Sequence, residues 1–257
     1  MWELYEILLS GIDDLEKVED FLIGPRWSAV LSSSGSVGLA PVILEKYDRF
    51  DFSYQPEKGM TLKEFASHAG SWNFMEASLA IAAVNAFYNS PGRLAGPDES
   101  GKEKRILPGG RRARHSFRTF CEEITAEGKT VLAEPVYDND EVAEVPGRMD
   151  VLRRDTEFRD YYLSSYRELI PEADRLVLSG KTLVDKTAGP MLERALESGA
   201  QVYLFGPDVP LCPALKGLGV AGIWGFTVDK ADQLMQMARA NMQRDLFLRQ
   251  GHFVVME

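Results

Sequence analysis

The sequence predicts an α/β protein in two parts, a small α+β unit followed by a unit built on a parallel sheet. Three observations carry this. Beyond residue 112, short apolar runs alternate with helical patterns, the element order that gives a parallel sheet with right-handed crossovers. Several of those runs, such as Leu176-Val177-Leu178 and Val202-Tyr203-Leu204-Phe205, are continuously apolar, as strands buried on both faces are. Before residue 89 the runs are punctuated by turn residues and mixed with helices, the pattern of a small antiparallel sheet backed by helices.

The chain starts with a helical spacing of Trp2, Tyr5, Leu8, Leu9 and Ile12. Val18 to Ile23 reads as a strand stopped by Gly24-Pro25. Trp27 to Leu31 is stopped by Ser32-Ser33-Ser34-Gly35, and Ser36 to Ala40 completes a hairpin-like pair. Residues 45–60 are polar and irregular. Helical pattern returns over Leu62 to Ala69 and, strongly, over Asn73 to Tyr88. In the second part the strand-like runs are Thr130–Ala133, Met149–Leu152, Arg175–Leu178, Val202–Phe205 and Val220–Trp224. The helical segments are Ser116–Ile124, Tyr162–Leu169, Ala188–Glu197, Pro213–Leu218 and Lys230–Ala240.

Between the parts lies a break in composition over 89–112, with Asn89-Ser90-Pro91-Gly92, Gly96-Pro97-Asp98 and Pro108-Gly109-Gly110. That is turn and linker chemistry. The charge breaks there too: Lys102 to Arg118 holds seven Lys or Arg and one acid in a chain whose net charge is −10. Such a segment suits either a solvated linker or a clamp on a phosphate or carboxylate ligand.

Composition sets the outer bounds. Apolar residues make up 45% and charged residues 26% of the 257, a globular mix. The excess of 39 Asp and Glu over 29 Lys and Arg argues against a nucleic-acid coat and against binding to anionic membrane. No run approaches the roughly 18 apolar residues of a membrane span, and the first residues lack the basic start of a secretion signal. Cys121 and Cys212 are too few for a disulfide framework, so a cytoplasmic protein is expected.

Familiar motifs fail on context. Gly217-Leu218-Gly219-Val220-Ala221-Gly222 spells a dinucleotide fingerprint, but a helical segment precedes it and an apolar strand follows, the reverse of what pyrophosphate binding needs. NAD is therefore not expected. Gly180-Lys181-Thr182 lacks the glycine five residues earlier that a phosphate loop requires; Arg175 stands there. His68, His115 and His252 are far apart, and no Cys-x-x-Cys or Gly-x-Ser-x-Gly occurs. A closed zinc site and a serine triad both lose support, while an oxygen-rich metal site stays open.

Position supplies the remaining signal. In open parallel sheets, ligands bind beyond the carboxyl ends of the strands. The loop Ser179-Gly180-Lys181-Thr182-Leu183-Val184-Asp185-Lys186-Thr187 offers hydroxyls, a carboxylate, two amines and backbone N–H groups near a helix start. A helix start capped by Asp185 or Thr187 accounts for the same residues. The loop Gly206-Pro207-Asp208-Val209-Pro210 permits close approach at Gly206 and is stiffened by its prolines; a tight strand-to-helix turn would look the same. The two loops should lie side by side, because a short helix joins their strands. Asn73-Phe74-Met75-Glu76 matches a capping box, which leaves Glu76 either a cap or a ligand. Asn85 sits about 180° from Glu76 on the same helix and, inside an Ala-rich segment, needs a partner.

These strings, taken in order with Trp27-Ser28-Ala29-Val30, Gly38-Leu39-Ala40, Glu76 to Ala86 and Pro171-Glu172-Ala173-Asp174, resemble the family called the putative heavy-metal chelation domain. The resemblance implies an enolase-N-terminal-like α+β domain over 1–110 and a Rossmann-like domain over 111–257, with a site in the cleft between them. It implies a metal ion or metal-bearing small molecule as ligand. The ligand-binding set it points to is Glu76, Asn85, Ser179, Gly180, Thr182, Asp185, Thr187, Gly206, Pro207 and Asp208, with Glu76, Asp185 and Asp208 as metal candidates. Two departures stand out. Asp185 occupies a place where the family tends to have Asn, and Glu134-Pro135-Val136-Tyr137-Asp138 replaces a glycine-containing turn.

Three functions follow as expectations. One is binding or chelation in the interdomain cleft. Another is an enzyme, methyltransferase-like or lyase-like, acting on a small anionic substrate beside Lys181 and Lys186. The third is a non-enzymatic subunit docking on a partner. The sequence leaves the catalytic residues, the metal and a homo-oligomer open.

Overall fold

The computed structural model describes residues 2–44, 55–95, 104–136, 141–142, 144, 147–156, 160–241 and 244–257. The first helix, α1 (Trp2–Ser10), leads into a three-stranded antiparallel sheet of β1 (Val18–Ile23), β2 (Trp27–Ser32) and β3 (Val37–Pro41), in that order. The short α2 (Leu62–Ala66) starts with a complete capping box: Thr61 accepts from the Glu64 N–H, and the Glu64 carboxylate accepts from the Thr61 N–H. That pattern, Thr-x-x-Glu, is plain in the sequence and sharpens the start of the 62–69 helix.

The next helix, α3 (Phe74–Tyr88), is buried on every side; Met75 alone of its residues escapes full burial. Helices apolar all round belong in the middle of a protein rather than on its surface, and the run of alanines here lets neighbours approach closely. At Gly38 of β3, a Cβ would lie 2.0 Å from the Ala82 carbonyl and 2.1 Å from the Ala86 nitrogen, so only glycine lets this strand lie on the helix backbone. Ser36 Oγ donates to the Ala86 carbonyl at 2.7 Å and ties the strand start to the same turn.

An eight-stranded sheet holds the rest: β4 (Arg105–Ile106), β5 (Lys129–Ala133), β6 (Arg148–Arg153), β7 (Tyr161–Tyr162), β8 (Arg175–Leu178), β9 (Gln201–Phe205), β10 (Val220–Val228) and β11 (Gly251–Met256). The spatial order is β4-β11-β10-β9-β8-β5-β6-β7. Strands β5 to β10 pair in parallel, while β11 runs antiparallel to both β10 and β4. The helix Ala188–Ser198 makes the crossover from β8 to β9 and is ended by Gly199 in the left-handed region at φ 80°.

The mixed α/β class follows the sequence reading, and several details differ. Gly180–Val184, expected as a loop, is a short helix that begins directly after β8. The 116–124 helix is α-helical over Ser116–Phe120 and continues as a π-helical turn over Cys121–Thr125. β10 extends to Val228, none of β4, β7 and β11 was anticipated, and the expected 162–169 helix starts only at Leu163, with Tyr162 in β7. Of the 89–112 break, residues 96–103 lie outside the described residues, and β4 edges the large sheet. Two cations of the basic segment are paired: Arg105 with Glu123 at 2.5 Å and Arg118 with Glu122 at 2.8 Å.

The first part of the chain shares its apolar interior with the second. Leu4, Leu8 and the α3 alanines belong to one buried cluster with Val131, Leu176, Leu204 and Ile223. Ala29 and Leu39 belong to another with Trp224, Leu234 and Phe253.

Candidate functional site

The strand order locates the site. From β5 the chain steps outward through β6 and β7, then returns to the other side of β5 and steps outward again through β8, β9 and β10. The reversal falls between β5 and β8, and open α/β sheets bind ligands beyond the carboxyl ends of the strands at such a switch point.

Glu134 stands at the end of β5. Its φ is +51°, a left-handed conformation unusual for a residue with a side chain. Bonds on both sides hold it there: its N–H donates to the Leu152 carbonyl at 2.8 Å, and its carbonyl accepts from Ser179 Oγ at 2.6 Å. The carboxylate, almost fully buried, accepts from the Arg154 N–H at 2.6 Å and from Lys181 Nζ at 2.5 Å. Arg154, just beyond β6, sends Nη2 to within 3.5 Å of Asp185 Oδ2, and its guanidinium lies 5.2 Å from the Phe74 ring centre at the head of α3. Asp185 Oδ1 accepts from the Thr187 N–H at 3.0 Å and from Thr187 Oγ1 at 2.5 Å. Burial raises the Asp185 pKa; the Thr187 bonds and Arg154 oppose the shift, and Glu134 adds to it.

The charges are layered. The Glu134 and Asp185 side chains are 1% and 0% exposed, whereas those of Lys181 and Arg154 are 25% and 34% exposed. The acids face inward and the cations outward.

Next to it lies Lys186, with φ +69°. Its ammonium donates to the Ala69 carbonyl and sits 5.0 Å from the Tyr5 ring centre. Desolvation pulls its pKa down to about 7 against the attraction of Asp185. Tyr5 in turn donates to the Leu183 carbonyl at 2.6 Å, and its own pKa is raised by burial.

The loops after β8 and β9 do meet. At Gly180 a Cβ would lie 2.1 Å from the Asp208 carbonyl oxygen, and at Gly206, with φ 153°, it would lie 2.2 Å from Asp208 Oδ1. Their meeting place is closed rather than open. Gly206, Pro207 and Asp208 are all buried. Asn85 Nδ2 donates to the Leu39 carbonyl at 2.7 Å and to the Asp208 carbonyl at 2.8 Å, so this amide staples β3 to the loop. Burial raises the Asp208 pKa to about 7. The N–H groups of Gly180 and Lys181 temper that rise without bringing either carboxyl oxygen a fully formed hydrogen bond. Thr182 Oγ1 donates to the Ser179 carbonyl at 2.6 Å, inside its own turn.

Glu76 belongs to the start of α3. Asn73 Oδ1 accepts from the Met75 and Glu76 N–H groups at 3.0 and 3.3 Å, as expected of an N-cap. The Glu76 carboxylate reaches back through an intermediary: Ser71 Oγ donates to it at 2.6 Å and accepts from the Asn73 N–H at 3.1 Å. His68 Nδ1 lies 4.0 Å from Glu76 Oε2, and burial lowers the His68 pKa. Thr187 occupies the N-cap position of the 188–198 helix but makes no side-chain cap bond; its hydroxyl serves Asp185 instead.

The three metal candidates have different neighbours: Glu76 accepts from Ser71 at the start of α3, Asp185 pairs with Thr187 and Arg154, and Asp208 is sealed against Gly180 and Gly206. Among the described residues no three His, Cys, Asp or Glu side chains gather in a way that would hold a metal ion. The residues that the sequence reading missed are Glu134 and Arg154. Both stand at carboxyl ends of strands, so applying the edge rule to every strand would have found them.

Comparison with known proteins comes to the same outline. Two family models, both described as putative heavy-metal chelation, match residues 5–88 and 145–257. An uncharacterised protein of Methanocaldococcus jannaschii is 27% identical over 248 residues, 91% of this chain and 89% of that protein. The crystal structure of a protein of unknown function of the DUF364 family from Desulfitobacterium hafniense superposes with a TM-score of 0.81 at 25% identity, covering 100% of this chain and 97% of that one. Another of the same family, from Pyrococcus horikoshii, gives a TM-score of 0.78 at 20% identity, covering 99% and 98%.

Proposed function

The chain belongs to the family described as putative heavy-metal chelation, and on that premise we propose that it binds a small anionic molecule at the switch point, with a metal arriving as that molecule's chelate. The carrying observation is the layered charge there: Lys181 and Arg154 face outward over the buried Glu134 and Asp185. Guanidinium and ammonium groups set together in this way suit carboxylate or phosphate. A bare heavy metal would want soft ligands, and the two cysteines are buried in apolar clusters, Cys121 with Phe120 and Cys212 with Leu215. In this reading the chelating oxygens come mostly from the ligand and the protein supplies countercharge.

A second reading is an enzyme acting on a small anionic substrate, favoured by one observation. Lys186, with its pKa drawn down to about 7, is set beside Asp185, whose pKa is raised. Neighbouring groups whose pKa values are drawn toward neutrality suit proton transfer. Lys186 would then take or return a proton on a substrate anchored by Arg154.

Calorimetric titration of untagged protein with citrate, nickel citrate, inorganic phosphate and nickel alone tests the first reading. Citrate and its nickel complex should bind with one site per chain, and Arg154→Ala should weaken both about tenfold, some 1.4 kcal/mol. Stoichiometric binding of nickel alone, unaffected by Arg154→Ala, would refute it.

A further inference from the structure

At the opposite end of α3 from Phe74 and Arg154, about 20 Å away by the length of the helix, lies a cavity of about 390 Å³. It opens between the end of α1, the short helix Pro91–Leu94 and the chain leaving β9 at Leu211–Ala214. We propose that this cavity is a second ligand site, for a small amphiphilic anion with a flat apolar body and a single carboxylate or sulfonate.

Its size lies within the range of small-molecule sites, roughly 300–1,000 Å³. Ile7, Leu94, Leu211 and the Phe87 ring give it an apolar wall. The wall is fixed by close packing. The Tyr88 hydroxyl donates to the Leu8 carbonyl at 3.0 Å beside the Cys212 thiol. A Cβ on Gly11 would lie 2.3 Å from the Tyr88 oxygen, so that corner admits no larger residue.

The charge in the cavity decides the ligand class. Among the described residues no acidic side chain lines it, and two cations do. Arg93 is already answered: it pairs with Asp13 at 2.9 Å and Glu16 at 3.0 Å, and its guanidinium lies 3.5 Å from the Phe87 ring centre. Lys104 is not. Its one hydrogen bond among the described residues is a long one, 3.4 Å, to the Arg93 carbonyl, and no carboxylate there lies within ion-pair distance. An apolar hollow with one unanswered ammonium at its rim complements an apolar molecule bearing one negative charge. The site shares no residue with the switch point, so it stands whether or not the reading above survives.

The probe is 8-anilinonaphthalene-1-sulfonate, an aromatic body with one sulfonate. Its fluorescence titration should saturate at one dye per chain. Lys104→Glu should weaken binding by about tenfold or more, and Ala214→Trp, at the exposed rim, should block it, while Arg154→Ala leaves it unchanged. Bound dye should also slow labelling of Cys212 by N-ethylmaleimide, read by peptide mass spectrometry, without altering Cys121. Circular dichroism checks that each variant is folded; where Ala214→Trp is not, Lys104→Glu and the Cys212 labelling decide. Dye binding indifferent to Lys104→Glu, or Cys212 labelling unaffected at saturation, overturns the proposal.

Discussion

Two stretches of one sheet edge make opposite use of their polar groups. Beyond β9, residues 206–211 lie under α3. There Asn85 and Asn89 take up the carbonyls of Leu39, Asp208, Val209 and Phe226, and Asn89 Oδ1 accepts from the Leu211 N–H. Beyond β5, β6 and β8, α3 has reached its first residue, and its Phe74 ring meets the Arg154 guanidinium. With less cover, the cations there reach solvent. Carboxyl-edge position alone does not make a binding site; the edge becomes one where the element roofing it stops.

The strongest test of this contrast is Asn89→Ala. The side chain is 1% exposed and answers two carbonyls and one N–H, all buried. Unanswered buried groups cost roughly 1–3 kcal/mol each, and partial relaxation should leave a loss of about 3 kcal/mol in urea unfolding. Anion binding by the folded fraction should be unchanged. A loss below about 1 kcal/mol would mean that the roof over 206–211 is not held as argued here.

Arg153→Ala should come next. Arg153 and Arg154 are adjacent in sequence and differ in use. Arg153 Nε lies 3.0 Å from the nearly buried Asp160 carboxylate, and Nη1 donates to the Pro135 carbonyl at 3.0 Å. Truncation should cost about 2 kcal/mol through the groups left behind and leave citrate titration as in wild type. If citrate binding falls instead, the division of labour between the two arginines is wrong.

Asp208→Asn should have an effect that depends on pH. The folded pKa, about 7, lies above the unfolded value, so the folded state holds the proton more tightly. Its contribution to stability is complete below the unfolded pKa, near 4, and is lost as pH rises through about 7. The variant lacks this loss. Measured from pH 4 to 8, its stability relative to wild type should rise by up to about 4 kcal/mol, roughly 1.4 kcal/mol for each pH unit below the folded pKa. A constant difference across that range would show that the carboxyl is not buried as a charge.

The same contrast explains what was legible in the sequence. The parallel strands other than β7 were, because burial on both faces writes continuous apolar runs such as Leu176 to Leu178; β7, two exposed tyrosines, carries no such run. β11 was not, although Phe253-Val254-Val255-Met256 is such a run; its place is set by antiparallel pairing with β10 and β4. The meeting of the two loops followed from the short crossover between their strands. Whether they opened to solvent depended on α3, whose amides give no sign in the sequence of which carbonyls they will meet. Glu134 was hidden for another reason: a left-handed turn is normally signalled by glycine, and here the Leu152 and Ser179 bonds hold a glutamate in it.

The smallest stability effect should fall on the residue that matters most for the proposed function. Arg154 is a third exposed, its contact with Asp185 is long at 3.5 Å, and exposed or half-exposed ion pairs contribute little. The backbone N–H that serves Glu134 survives truncation, and Asp185 Oδ1 keeps both Thr187 bonds. Arg154→Ala should therefore cost less than about 1 kcal/mol at neutral pH. Because Arg154 holds the raised Asp185 pKa down, its loss should raise that pKa further. A raised folded pKa means stability lost as pH rises through it, so the variant's deficit should be present at neutral pH and shrink as acid protonates Asp185. Citrate binding should drop about tenfold in the same protein. A stability loss as large as that of Asn89→Ala, with citrate binding intact, would make the switch-point charges a structural clamp and erase the distinction between the two stretches of edge.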